Sequence, residues 1–509
     1  MENLFNSIEV QRPPSNTFDL THDVKMTGAM GKLMPCCIAE CIPGDTWDIA
    51  GDTYIRFAPM VAPIMHNVDV CIHYFFVPNR LVWENWEKFI VNEPTGGLPQ
   101  FTWSSSTPET AKKLGDYLAV PPPPATSTAQ NINAIPFAAY QAIYNEYYRD
   151  ENLIPEVDYQ LVDGLNALGT FGTLRNRAYE HDYFTACLPF AQKGSAVDLP
   201  LGDVTLKASW DGSVGNAPTF RTTAGTISQG ELQVTTSDRI GADAGLGVAQ
   251  PLAYDPGDSL TVGATTINDL RRAMRLQEFL EKNARGGTRY IENIKMHFGV
   301  QSSDARLQRP EYITGTKAPV LVQEITNSTD QEDPSAVSVQ GNPSGKATSL
   351  QAGHYGKYRC EEHGYILGIM SIMPKPAYQQ GIPKNFLKTD VLDFYWPSFA
   401  HIGEQEVTEN EIYAYTATPN NVFGYIPRYS EYKYLQNRVA GLFRTQLDFW
   451  HLGRIFASAP TLSQQFIEVN SANNTRVFFD EDDVDNIYIH VLNKMKARRP
   501  MPVFGTPTL

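Results

Sequence analysis

Across residues 66–78, HNVDVCIHYFFVP, the positions Val68, Val70, Ile72, Tyr74 and Phe76 alternate with Asp69, Cys71, His73, Phe75 and Val77. A period of two predicts a strand, and because its second face is also mostly apolar, that strand belongs inside a sandwich or at a subunit contact. Strand-like patterning extends from His22 to Pro78, with turn signals at Pro43-Gly44-Asp45 and Gly51-Asp52. Further strands are predicted at 293–300, 318–326, 363–373 and 486–495. Helical spacing predicts helices over 81–92, 108–118 and 136–150, the last placing Phe137, Tyr140, Tyr144 and Tyr147 on one stripe behind Pro136. The run Pro121-Pro122-Pro123-Pro124 favours an extended surface spacer.

Between Gly194 and Thr265 the texture changes, to eleven Gly and nine Thr with Trp210, Phe220 and Tyr254 as the aromatics. Such a segment cannot build a core; fragments at 203–209 and 230–236 predict short strands and turns, and a helix over 267–284 closes at Gly286-Gly287. The chain therefore divides into 1–193, an N-terminal arm and the first part of a sandwich with helical insertions; 194–265, a Gly/Thr-rich insertion of short strands; and 266–509, the rest of the sandwich with long loops and a basic C-terminal tail. The predicted class is mainly β, a single sandwich with a few helices in its loops. Eight strands of about six residues use only ~50 residues, so connections dominate, and burial against other subunits is the economical reason for them.

Composition narrows the function. The 509 residues carry 41 basic and 56 acidic side chains, a net charge of −15, which excludes a generally basic nucleic-acid coat and disfavours broad binding to anionic membranes. Any nucleic-acid contact must be local. The cysteines, Cys36, Cys37, Cys41, Cys71, Cys187 and Cys360, form no disulfide framework and suggest a reducing compartment. No stretch approaches the ~18 apolar residues of a membrane span, and residues 1–18 lack a signal-peptide pattern.

Many collinear segments resemble the major capsid protein of the microviruses, small icosahedral single-stranded DNA phages, and most of all its gokushovirus branch. Among them are FDLTHDVKMT (18–27), RFAPMVAPIMHNVDVCIHYFFVPNRLVWENWEKF (56–89), HDYFTACLPFAQKG (181–194), HFGVQSSDARLQRPEYITG (297–315), EHGYILGIMSI (362–372), DFYWPSFAHIGEQE (393–406) and FGYIPRYSEYKY (423–434). The resemblance implies a viral jelly roll that assembles into a T=1 shell around a circular single-stranded DNA genome, with 194–265 as a protrusion exposed for host attachment through Trp210 and Phe220. It implies as partners other copies of the chain, the packaged DNA, a small basic DNA-binding virion protein, a pilot protein, a scaffolding protein and a host surface receptor, with carbohydrate as one candidate. The expected places are the virion capsid and, during assembly, the host bacterial cytoplasm. No cofactor, metal or membrane insertion is implied.

Other chemistry must be weighed beside this. Ser259 in Gly257-Asp258-Ser259-Leu260, with Asp448 and His451, mimics a GDSL-type esterase, but sits mid-chain behind a turn. GNPSGKAT (341–348) departs from a phosphate loop in spacing and in Ala347, and reads as a flexible surface loop. Cys36, Cys37, Cys41, Cys71 and His73 fit no common zinc spacing, and the acidic run from Asp480 to Asp485 lacks the glycine of a calcium loop. A carbohydrate-binding β-sandwich is the alternative to a shell subunit. Lys494, Lys496, Arg498 and Arg499 concentrate positive charge in six residues; they suit phosphate contact with packaged DNA, a solvated tail or an intersubunit ion pair.

Overall fold

The computed structural model describes residues 14–195, 197, 204–206, 219–222, 232–234, 240–243, 249–255, 260–262, 266–285, 290–299, 308–326, 343–480 and 485–504. Contacts group Met1–Ala191 with His297–Leu509 as one unit and Gln192–Met296 as another.

Beside two small sheets, the first unit holds an antiparallel two-sheet sandwich. Its strands are β1 (Asn16–Asp19), β2 (His22–Gly28), β3 (Met34–Cys41), β4 (Thr46–Phe57), β5 (Val68–Pro78), β6 (Glu311–Pro319), β7 (Leu321–Thr326), β8 (Pro343–Gln351), β9 (Gly356–Arg359), β10 (Gly364–Pro374) and β11 (Ile487–Arg499). One sheet runs β1-β11-β4-β8-β7, with β2 also on β11 and β9 also on β4; the other runs β6-β5-β10-β3. From β2 to β5 the chain crosses between the sheets at every step, a jelly-roll-like path.

Alternation explains the core. Trp47, Ile49, Ile55 and Phe57 of β4 and Ile487, Ile489, Val491, Met495 and Ala497 of β11 face Val70, Ile72, Tyr74 and Phe76 of β5, all buried in one cluster. The second face of β5 is covered by the chain itself, since Phe75 and Val77 pack with Phe137, Tyr140 and Tyr144 from the helix Ile135–Ile143 and the wide π-helical turn Tyr144–Tyr148 that extends it. The aromatic stripe is therefore internal: Phe137, Tyr140 and Tyr144 are buried, and of its four rings only Tyr147 is exposed. Tyr140 Oη donates to Leu33 O at 2.9 Å, which ties this helix to the start of β3. A third cluster, with Phe184, Tyr378, Phe423 and Phe466, joins the connection after β5 to the connections after β10. Much of the long connecting chain packs on its own subunit.

Three local expectations change between residues 290 and 351. Residues 341–348 were expected as a loop, but Pro343–Gln351 is β8, in which Gly345, Ala347 and Ser349 are buried at alternate positions. A Cβ on Gly345 would meet the Ala62 carbonyl at 2.6 Å, so the small residues serve close packing rather than a flexible loop or a phosphate cradle. The strand expected at 293–300 is the helix Tyr290–Phe298; Ile291, Ile294 and Phe298 have helical spacing, and Gly299 at φ 69° ends it. The strand expected at 318–326 is broken, since β6 ends at Pro319 in one sheet and β7 begins at Leu321 in the other. Proline cannot donate to a continuing ladder.

In the second unit, Thr219–Thr222, Ala249–Asp255, Ile240–Asp243 and Leu232–Val234 form a four-stranded sheet in that order, and Leu260–Val262 pairs with Val204–Leu206. The helix Ile267–Arg285 begins with a reciprocal cap, Thr266 N–H donating to Asp269 Oδ2 and Asp269 N–H to Thr266 Oγ1. Among the described residues, no helix is long and apolar enough to cross a membrane.

Candidate nucleic-acid interface

The basic run lies on strand β11, not on a tail. Because Met495 and Ala497 point into the core, Lys494, Lys496 and Arg498 point away from it, onto the outer face of the larger sheet. Lys494 Nζ lies 2.5 Å from Asp52 Oδ2. Burial pushes the Asp52 carboxyl up, but hydrogen bonds from Lys494 and from the Gly353 N–H outweigh it and hold the group below its ordinary range. Lys496 stands in register between Asp48 of β4 and Asp19 of β1, and Arg498 between Thr46 and Thr17. Both are exposed, and among the described residues Arg498 makes no ion pair.

Arg499 turns the other way. Its guanidinium lies 4.9 Å from the Trp47 ring, forms a 3.2 Å ion pair with the fully buried Asp45, and donates to Glu40 O at 2.7 Å. Burial pushes the Asp45 carboxyl up, while the Ile42 N–H and the Arg499 charge work against that. Arg499 thus compensates the buried carboxylate of the turn between β3 and β4, and the structure does not bring it together with the other three.

Register adds residues that the sequence alone did not join to the run. Tyr488 of β11 pairs with Arg56 and His490 with Tyr54 of β4, while Lys25 of β2 pairs with His490 from the other side. These five side chains, with Asp116, line a shallow depression of about 610 Å³. Tyr54 and Tyr488 expose 45% and 48% of their surface, enough for a flat ring to stack on one of theirs. Lys25 pairs with Asp23, whereas Arg56 is exposed and makes no ion pair among the described residues. The outer face therefore combines open cations with open aromatic rings.

Comparison with known proteins settles the family. Residues 6–509 match the model of the capsid protein (F protein) family of phages. The chain belongs to that capsid family. It is 35% identical to capsid protein VP1 of Bdellovibrio phage phiMH2K over 96% of this chain and 94% of that protein. It is 33% identical to capsid protein VP1 of Chlamydia phage 1, over 100% of this chain and 98% of that one. Capsid protein VP1 of Spiroplasma virus 4 is 29% identical, over 99% and 97%. The chain is thus a gokushovirus-like capsid protein, a structural component of a virion and not an enzyme.

His451 is fixed by backbone at both ring nitrogens, Nε2 against Phe443 O at 2.8 Å and Nδ1 accepting from Gly453 N–H at 2.9 Å, which leaves no nitrogen to serve as a base. Ser259 and Trp210 lie outside the described residues. Phe220 is on the strand Thr219–Thr222, opposite Tyr254. Cys41 sits beside Cys360 across the core, and all six cysteines are buried and unbridged. Of the acidic run, Asp485 takes two hydrogen bonds from Lys113 and Asp480 is exposed, while 481–484 lie outside the described residues. Among the described residues, no group of His, Cys, Asp or Glu is placed to hold a metal ion.

Proposed function

We propose that this capsid protein closes into a T=1 icosahedral shell around a circular single-stranded DNA genome, with the outer face of its larger sheet turned to the DNA. The observation that carries the DNA-facing part is the combination of Lys496, Arg498 and Arg56 with the exposed rings of Tyr54 and Tyr488 on one sheet face. Cations draw the backbone in, and rings accept bases of any sequence. The T=1 shell rests on the resemblance to microvirus capsid proteins. In the same reading, segment 194–265 is exposed for host attachment, with Trp210 and Phe220 against a surface receptor for which carbohydrate is one candidate. A small basic DNA-binding virion protein supplies most of the charge neutralisation that a chain of net charge −15 cannot. A pilot protein and a scaffolding protein complete the partners, and assembly takes place in the host bacterial cytoplasm.

Lys494 and Arg499 are occupied by carboxylates, so two of the four basic residues of β11 remain open to phosphate. For single strands the salt slope contributed by Lys496 and Arg498 is then about −1.4, roughly a sevenfold weakening per subunit between 50 and 200 mM salt. Particles carrying Lys496→Gln with Arg498→Gln should assemble normally but lose genome more readily and with a flatter salt dependence. If those particles package and hold DNA normally but assemble poorly, β11 is an intersubunit contact and the DNA-facing assignment is wrong.

A further inference from the structure

Residues 384–399 form three short 3₁₀ turns, Lys384–Phe386, Val391–Asp393 and Pro397–Phe399, with no long helix or strand to hold them. Polar groups hold them instead. Asp393 Oδ2 accepts from the N–H groups of Thr389 and Asp390, while Asp390 Oδ1 accepts from Val391 N–H. Tyr429 Oη accepts from Trp396 N–H at 3.3 Å, and Trp396 Nε1 donates to Val391 O at 3.0 Å. Beneath the rings, Lys388 Nζ lies 3.0 Å from Glu431 Oε1, with the two side chains only 5% and 10% exposed. The same ammonium lies 4.0 Å from the centre of Tyr432 and 5.6 Å from that of Phe394.

Above this polar base, apolar side chains stand in solvent. Val391 is 64% exposed, Leu392 53%, Phe394 53%, Tyr395 50%, Trp396 45% and Tyr432 55%. Exposed apolar residues scattered singly need no explanation. These are linked, however, through the Lys388 contacts, the Trp396–Val391 hydrogen bond and a 6.2 Å approach of the Tyr395 and Tyr432 rings. Half of four aromatic side chains is roughly 400 Å² of surface. A standard interface takes about 800 Å² from each partner, of which a little over half is apolar, or roughly 450 Å². The patch matches the apolar share of one side of such an interface, and its fixed geometry lowers the ordering cost of using it.

We infer that this aromatic patch, centred on Val391–Trp396 and Tyr432, is a contact surface for a second copy of the chain. The inference rests on the shell-forming reading above, since a shell subunit must bury surface against other copies of itself by contacts that close around symmetry axes. Assembled particles and unassembled subunits, both from cells producing the full set of phage proteins, can be compared by hydroxyl-radical footprinting. Phe394, Tyr395, Trp396 and Tyr432 should lose reactivity at least fivefold on assembly. Val391→Lys with Leu392→Lys should leave the thermal unfolding of the unassembled subunit unchanged and lower particle yield at least tenfold. Equal reactivity of the four rings in both states would overturn the contact, as would normal particle yield from the double variant. If the unaltered protein forms no particles at all, the shell-forming reading fails first and takes the contact with it.

Discussion

Asn493 is fully buried on β11, yet its amide is fully engaged: Oδ1 accepts from Tyr74 Oη at 2.7 Å, and Nδ2 donates to Cys36 O at 2.9 Å. Its neighbour across the ladder is Gly51, where a Cβ would sit 2.2 Å from Tyr74 Oη. A polar bridge therefore links the two sheets at a point where only glycine leaves room for the tyrosine. Asn493→Leu should destabilise the unassembled subunit by about 2–4 kcal/mol, because it strands a hydroxyl and a carbonyl in the core. Denaturant unfolding measures this, and a loss below about 0.5 kcal/mol would show that the bridge is dispensable. Two histidines set a pH response at the same scale. His66 and His73 are both pushed down to about 4, with burial the dominant cause at each. At His66 the hydrogen bond to Lys375 O works against burial while the His451 and Arg476 charges add to it; at His73 the Arg177 charge adds to it. Each stays neutral in the fold while the unfolded chain takes up protons from about pH 6.5 downward. Stability should accordingly fall as pH drops from 6.5 to 4, by about 3 kcal/mol per histidine across that window. His66→Gln and His73→Gln should each flatten the dependence of the unfolding free energy on pH, and an unchanged slope would contradict the assignment.

The sandwich strands were legible wherever apolar and polar positions alternated at full contrast. Strand β5 shows this, with its two faces feeding two different cores. What covers its second face was not legible, because a stripe such as Phe137, Tyr140 and Tyr144 looks the same whether it meets its own chain or a neighbour's. Strand β8 was hidden for the opposite reason. Its inward residues are Gly345, Ala347 and Ser349; the Ala62–Pro63 backbone lies against Gly345, and residues this small give no hydrophobic alternation. The helix Tyr290–Phe298 was misread because Ile294, Met296 and Phe298 also satisfy a period of two. At the candidate interface, the charge of residues 494–499 was visible in sequence, but the strand's alternation, which separates Arg499 from Lys496 and Arg498, was not. Tyr54 and Arg56 could not be joined to that run from sequence, since strand register brings together positions more than 430 residues apart.

At the scale of the molecule, the sandwich is only part of the chain, and the connections after β5 and β10 build apolar clusters of their own. Among the exposed features of the described residues, two stand out. One is a sheet face bearing open cations and open rings; the other is a rigid aromatic patch over a buried Lys388–Glu431 pair. A shell subunit needs both kinds of surface, one toward its cargo and one toward its copies, and neither calls for catalysis. Cryo-electron microscopy of purified particles tests the shell most directly. It should show closed shells of uniform size with T=1 symmetry, with nucleic-acid density against the outer face of the larger sheet. Open or variable assemblies, or a stable monomer in cells that make every other phage component, would contradict the assignment.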